Sequence, residues 1–526
     1  MLTTMPENPA PDTSATEAAL LGKAASIKEY VESNFSPSGI VAVARYGSVI
    51  RWQAWGDDGY DVTTPFRVAS LTKSFTALAL LIERREGRLS LDDAVVEHLP
   101  ELTVDAPADW PVVRIRHLLS MASGLATDNP WGDRQESRSR AELAEWLRSG
   151  LRLVFPPGGS YEYSNLGYAF LGEVITRLSG QDYREFVRER IIDPLGLRDT
   201  RFSVDDLEAV ANGYHREPAL PGQRGGWTPQ EPTGPGAFSP IGGLYSSVRD
   251  LAAWAGLYLT REVPAGASFT AADLLEAQQP LNNVSTGAAE APLRGHVTRA
   301  YGYGLSIEAF TDHGTVVAHS GGYPGFTAYM CWHTESGYTV ISSANGTHSG
   351  SAGPARRMLL PLVAATTSKP SLVGAVSRPT TIAAPAAATA HASPAPASGA
   401  AITPPTWPET LAAAARLEDL VREVPTAGAD DLAARYADLF AENVEMDFPL
   451  ARRVEYLEQA LVNLGPLRPA EANRVPTSER PSRARWSMPA EFGRLEVSIE
   501  LMPVAPFKVQ TFSVEVVNGW SRVDLF

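Results

Sequence analysis

The sequence predicts an α/β fold: a mixed antiparallel sheet flanked by helices over residues 19–372, followed by a smaller α+β domain over 406–526. Three observations lead there. Strand-like segments stand at both ends of the first unit around a helical middle, so its two termini should close one sheet. An Ala/Pro-rich stretch at 373–405, VGAVSRPTTIAAPAAATAHASPAPASGAAITPP, has too little apolar surface to offset its ordering entropy and reads as a semi-extended tether. Beyond it, helices come first and strands after.

A chain of 526 residues is too long for one core and calls for two to four units. Its 44% hydrophobic and 20% charged residues exclude wholesale disorder. With 45 Lys plus Arg against 60 Asp plus Glu, the net charge of −15 argues against nucleic acid and against an anionic membrane surface as partners. The N-terminus lacks a basic stretch followed by an apolar one, and no run approaches the ~18 apolar residues of a membrane span, so a cytoplasmic location is expected. The single cysteine, Cys331, reads as a small apolar side chain in a strand.

Residues 1–18 read as a frayed tail, and a helix is expected over 17–34. GIVAVARYG and SVIRWQAWG are two strands joined at Gly47-Ser48. SLTKSFTALALLIERREG is one long helix stopped by Gly87. Residues 90–235 are mainly helices and loops, and YGLSIEAF, GTVVAHS, FTAYMCWHT and GYTVISSAN are four strands. In the second unit helices are expected over 407–424, 428–441 and about 450–463. ARWSM, GRLEVSIEL and PFKVQTFSVEVV follow as strands, the last changing phase near Thr511-Phe512, where a bulge or bend fits. Asp447 and Glu445 read as exposed loop carboxylates.

Lysine usage carries the first chemical clue. Only Lys23, Lys28, Lys73, Lys369 and Lys508 are lysines, among 45 basic residues. Lys73 lies among apolar residues near a helix start, and a desolvated lysine can lose its proton where arginine cannot. Ser70 sits three residues earlier on the same helical face, near the positive end of the helix dipole. PPGGSYEYSNLGYAFLG then places Tyr163 and Asn165 at the entry of an apolar helix. A phenol beside an ammonium can have its pKa lowered and shuttle a proton, and an amide can hold both lysine and substrate. AHSGGYPGF follows the strand GTVVA, its glycines allowing close backbone approach and His319 offering a donor or local cation. Each motif alone is matched by a bland reading: a helix cap, core aromatics, a structural histidine.

Ser-x-x-Lys, Tyr-Ser-Asn and His-Ser-Gly in this order resemble the penicillin-binding and β-lactamase-like serine hydrolases, in their class C-like branch of esterases, D-amino-acid peptidases, amidases, acyltransferases and β-lactamases. FRVASLTKSFTALALLIERREGRLSLDDAVVEHLPEL, IRHLLSMASGL, YSNLGYAFLGEVITRLSGQDY, PLGLRDTRF and IGGLYSSVRDLAAW extend the resemblance over about residues 20–365. It implies a sheet domain with an all-α subdomain as the other wall of the cleft. It also implies Ser70 as nucleophile, Lys73 as base, Tyr163 as acid/base partner and Asn165 as positioning residue, with His319 opening the third motif. The N–H groups of Ser70 and Gly322 would form an oxyanion hole. Ser320 and Gly321 would line the substrate site, Tyr323 would either contact substrate or serve as a core or rim aromatic, and Gly242 and Gly243 would shape the cleft. Many β-lactamases carry lysine where this chain has His319, which weakens the case for a substrate carboxylate; Met121 stands where a histidine is common. Loops 126–142, 215–240 and 283–300 would supply pocket walls. The C-terminal unit resembles the nuclear-transport-factor/ketosteroid-isomerase-like cones.

The expected function is hydrolysis of a small ester or amide, or of a short D-amino-acid peptide, through an acyl-enzyme on Ser70. No metal and no cofactor are expected, and a homodimer is compatible with the sequence. The alternatives are an acyltransferase using the same acyl-enzyme and a binder without turnover.

Overall fold

The computed structural model describes residues 36–56, 58–216, 225–347, 352–367, 405–469, 476–518 and 521–525. The tail, the helix expected over 17–34 and all but the last residue of the tether lie outside them.

Two strands open the chain, β1 (Gly39–Arg45) and β2 (Ser48–Trp55). Six more close the first unit: β3 (Asn282–Ala288), β4 (His296–Tyr301), β5 (Ser306–Phe310), β6 (Gly314–Tyr323), β7 (Phe326–His333) and β8 (Tyr338–Ala344). They form one eight-stranded antiparallel sheet in the order β2-β1-β8-β7-β6-β5-β4-β3. The two ends of the unit therefore meet at the β1–β8 ladder, as the sequence predicts.

Period-two alternation sorts β7 onto two cores. Cys331 and Tyr329 face Leu359 and Val363 of a helix over Ala352–Thr367, while Met330 and Trp332 face a helix over Val248–Thr260 that carries Trp254. Burial pushes the Cys331 thiol up to about 12, so it is an inert core residue. Strands β3 and β4 occupy part of what the sequence suggests is a cleft loop at 283–300. The reason lies in the sheet edge: β3 reads NNVSTGA and is mostly exposed, so no apolar alternation marks it.

Helix α1 (Thr72–Arg85) is buried from Thr72 to Glu83, which explains the unbroken apolar run Ala77 to Ile82. Gly87, at φ 74°, lies just past its end. Helix α2 (Asn165–Ser179) packs against α1 and is stopped by Gly180 in the left-handed region.

In the second unit, α3 (Pro408–Glu423), α4 (Ala429–Tyr436), α5 (Glu442–Asp447) and α6 (Leu450–Leu464) precede the strands. The antiparallel sheet runs β9 (Arg483–Pro489), β10 (Arg494–Leu501), β11 (Val509–Asn518), β12 (Ser521–Asp524). Leu495, Val497, Ile499 and Leu501 alternate inward as expected. The register slips where Glu500 and Leu501 face Thr511 and Val509, so Gln510 is the extra residue of a bulge, next to the predicted position. Glu445 and Asp447 are exposed but helical rather than in a loop.

The two units share a continuous contact. Ala126, Val154 and Phe155 of the first join the apolar core of the second, and Ala441, Met502 and Val504 of the second join the first. Around these run Arg134–Asp447 (2.5 Å), Arg138–Glu442 (2.6 Å) and Arg152–Glu409 (2.7 Å). Buried Glu162 takes both Arg480 (3.0 Å) and Arg483 (2.6 Å). The bulged Gln510 donates from Nε2 to the carbonyl of Thr127 at 2.7 Å.

Candidate active site

Ser70 lies in a 3-10 turn, Ala69–Leu71, that runs directly into α1. Ala69 is held at φ 49°, a left-handed conformation costly for a residue with a Cβ. Two glycines make room for it. A Cβ on Gly242 would lie 3.3 Å from the Ala69 carbonyl carbon, and one on Gly321 would collide with the Val68 carbonyl. The strained turn presents Ser70 at 9% exposure while its neighbours Ala69 and Leu71 are sealed.

Lys73 is completely buried beneath it. Its Nζ lies 2.9 Å from Ser70 Oγ, 2.7 Å from Asn165 Oδ1 and 2.7 Å from the carbonyl of Ile241. None of these three is a carboxylate. Burial pulls the lysine down to about 7, against the opposing pull of Asp133, Asp128 and Glu136 further off.

Asn165 is oriented from two sides. Its Nδ2 donates to Asn129 Oδ1 at 2.5 Å, which fixes Oδ1 as the atom facing Lys73. Its backbone N–H and that of Leu166 donate to the Asp128 carboxylate at 2.7 and 2.6 Å, satisfying the start of α2. Ser164 caps the same helix by accepting from Gly167, and its own N–H points to Met121 Sδ at 3.3 Å. Ser164 thus caps the helix, and the next residue, Asn165, reaches Lys73.

The Tyr163 ring lies 5.0 Å from Lys73 Nζ. Burial raises its phenol well above 10, opposed by a hydrogen bond with Ser70. This runs against the sequence expectation of a lowered phenol: burial outweighs the hydrogen bond with Ser70.

His319 also departs from expectation. It is buried, and burial together with the Lys73 charge brings it down to about 3, so it is a neutral imidazole rather than a local cation. Nδ1 lies 2.6 Å from the Ser320 carbonyl and must carry the proton; Nε2, 2.9 Å from the Tyr301 hydroxyl, accepts. Sequence reasoning passed over Tyr301, which stands edge-on to Tyr163 at 6.5 Å and hides among ordinary strand aromatics. It also passed over Asp128 and Asn129, and the Ile241 carbonyl has no side-chain signal at all.

Strand β5 begins opposite Ala318, so residues 319–323 of β6 have a strand neighbour, β7, on one side only. Ser320 is exposed and Gly322 half-buried, and a Cβ on Gly322 would meet nothing within 4 Å. Gly321 faces inward against the Ser70 turn. Tyr323 is buried, with the Arg67 guanidinium 4.1 Å from its ring centroid. Gly243 lies against Ser239 and Glu136, behind the site. Among the described residues no group of three or more His, Cys, Asp or Glu side chains is placed to hold a metal, and no helix is long and apolar enough to cross a membrane.

The chain is similar to several known proteins. The sequence model of the family described as Beta-lactamase matches residues 24–365. Penicillin-binding protein 4* of Bacillus subtilis (strain 168) is 26% identical over 330 residues, covering 59% of this chain and 68% of that protein. Protein flp of Staphylococcus aureus (strain MW2) is 28% identical over 205 residues, 37% of this chain; the match spans only 41% of that relative's length. The octameric penicillin-binding protein homologue from Pyrococcus abyssi superposes with TM-score 0.50 at 18% identity, covering 98% of this chain and 100% of that one. A D-stereospecific amidohydrolase from a Streptomyces species aligns at TM-score 0.48 and 24% identity, over 66% of this chain and 98% of its own.

Proposed function

The chain belongs to the beta-lactamase family, and from that premise we propose that it is a serine hydrolase that cleaves a small carboxylic ester or amide through an acyl-enzyme on Ser70. One observation carries the reading: the three partners of Lys73 Nζ. A neutral amine has two hydrogens and one lone pair. Asn165 Oδ1 and the Ile241 carbonyl can only accept, so they take the two hydrogens. The lone pair is left facing Ser70 Oγ, where it can receive the hydroxyl proton as oxygen attacks the substrate carbonyl.

Tyr163, kept protonated by burial, then donates to the leaving oxygen or nitrogen and is reprotonated by the ammonium of Lys73. The backbone N–H groups of Ser70 and Gly322 are assigned to the developing oxyanion; the absence of a strand neighbour beside β6 leaves space for substrate there. Water completes the cycle by the reverse transfer. Neutral His319 places no positive charge on this strand, which favours substrates without a carboxylate at that position over β-lactams.

Intact-mass spectrometry after incubation with short-chain nitrophenyl esters, D-amino-acid amides and β-lactams tests the reading. The expected result is a single acyl adduct, mapped to Ser70, from an ester or amide, absent in Ser70→Ala, whose turnover should fall about 10³-fold or more. Adduct formation on Ser70→Ala, or more than a tenth of the turnover retained there, would overturn it.

A further inference from the structure

Two segments of the first unit, 127–129 and 160–165, are tied to one another, and the second carries Tyr163 and Asn165. Thr127 Oγ1 donates to the Glu162 carboxylate at 2.7 Å, Asp128 accepts from the backbone N–H groups of Asn165 and Leu166, and Asn129 accepts from the Asn165 amide. A shift of either segment therefore carries the phenol and the amide with it.

Both segments are also gripped from the second unit. Glu162 is 5% exposed, and its carboxylate meets one hydroxyl of its own unit and two guanidiniums of the other. Each arginine serves two acceptors. Arg480 donates from Nε to Glu162 at 3.0 Å and from Nη2 to Ser160 Oγ at 3.2 Å, and lies 5.2 Å from the ring centroid of Phe155, where the same loop begins. Arg483 donates from Nη2 to Glu162 at 2.6 Å and from Nε to Glu500 at 2.6 Å. Glu500 is its cross-strand neighbour on β10, so the sheet of the second unit fixes where Arg483 points. Gln510, in the β11 bulge, completes the grip by donating to the Thr127 carbonyl.

The gripped residues stand next to the functional ones: Tyr163 follows Glu162, and Asp128 follows Thr127. Other contacts already attach the second unit, among them the apolar packing of Ala126 and Val154 into its core and the Arg152–Glu409 pair. What charge-assisted hydrogen bonds add is direction, and a displacement of about 1 Å at a reacting group can cost about 10²-fold in rate. Resting on the hydrolase reading above, we propose that the second unit completes the active site rather than being an appended module. Arg480, Arg483 and Gln510 are positioning residues that set Tyr163 and Asn165 against Ser70 and Lys73.

Steady-state kinetics with nitrophenyl butyrate and amide hydrogen exchange across residues 160–166 test this on the full chain. Arg480→Ala/Arg483→Ala should lower kcat about tenfold or more, leave KM within about threefold and speed that exchange. Arg480→Lys/Arg483→Lys keeps both charges but loses the planar forks, so it should recover part of the loss and remain about threefold or more below the parent. It decides by the same readouts if the alanine pair fails to fold by circular dichroism. Arg152→Ala breaks an ion pair of the same interface whose members lie in neither segment, and should leave kcat and exchange within about twofold. Unchanged kcat in the folded variants, faster exchange without a fall in kcat, or a rise in KM alone would overturn the proposal. So would an equal fall in Arg152→Ala, which would show only looser docking of the units. The hydrolase reading fails separately, by turnover surviving in Ser70→Ala, since none of these variants alters the nucleophile.

Discussion

Arg67 and Lys73 lie six positions apart, at opposite ends of RVASLTK, and both are buried cations. Their fates differ because their partners differ. Arg67 reaches Glu136 at 3.0 Å, donates from Nε to the Gly242 carbonyl at 2.8 Å and lies against the Tyr323 ring. Burial works against its charge, but the Glu136 carboxylate together with Tyr323 and Tyr245 outweighs that and the guanidinium stays protonated. Lys73 touches only a hydroxyl, an amide oxygen and a carbonyl, and its carboxylate neighbours act from a distance; burial wins and it falls to about 7. A buried cation paired with an anion is a structural tie. One surrounded by neutral acceptors is free to lose its proton, as the proposed base must.

Exchanging those two roles gives the largest expected effect. Lys73→Arg puts a permanently charged planar fork where a neutral amine is required, so acylation measured with a nitrophenyl ester should fall about 10³-fold, nearly as far as in Lys73→Ala. An active Lys73→Arg enzyme would mean that position 73 needs only a fixed cation.

Glu136→Gln attacks the tie instead. It strands the Arg67 charge in the core and should cost about 3–5 kcal/mol of stability by denaturant titration. Arg67→Met added to Glu136→Gln should recover much of that loss, because no isolated charge remains. A Glu136→Gln protein as stable as the parent would show that water reaches the pair.

A milder contrast concerns substrate charge. Because His319 is neutral, hydrolysis of nitrophenyl acetate or butyrate should exceed that of a penicillin by at least tenfold under equal conditions. Penicillin turnover above the ester rate would place the anion-recognising charge elsewhere in the cleft.

The smallest effect is the pH dependence. Lys73 must be neutral to accept the serine proton, and the neutral form predominates above its pKa, so kcat/KM should rise with pH and level off above about 7. Below that it should fall up to tenfold per pH unit. Burial raises Asp133 to about 7 in the same field, so the midpoint belongs to the Lys73–Asp133 pair, and Asp133→Asn should move it down. A rate independent of pH between 5 and 9 would exclude Lys73 as the base.

The legible parts of this protein were those encoded by local spacing. Ser70 and Lys73 declare themselves through a three-residue step at a helix start, Asn165 through its place at a helix entry, and Gly87 through its position past an apolar run. Period-two patterns mark β1 and β5 to β8 and the strands of the second unit, since each buries at least one face. Strand β3 escaped notice because an edge strand can be polar, its neighbour β4 because its buried residues do not alternate, and Asp128, Asn129 and Tyr301 because a capping or packing residue has no signature of its own.

Ordering by chain position thus determined the sheet domain, its helical middle and the order of the three motifs. Which groups are charged was decided only in three dimensions. A lysine, a phenol and an imidazole take their protonation from desolvation and from the atoms within about 3 Å, and those come from the distant positions 165, 241 and 301. The same holds for the second unit. Its own apolar alternation specifies a folded sheet, but only the packed structure lays the Gln510 bulge against Thr127, because a hydrogen bond between residues 383 positions apart leaves no local pattern to read.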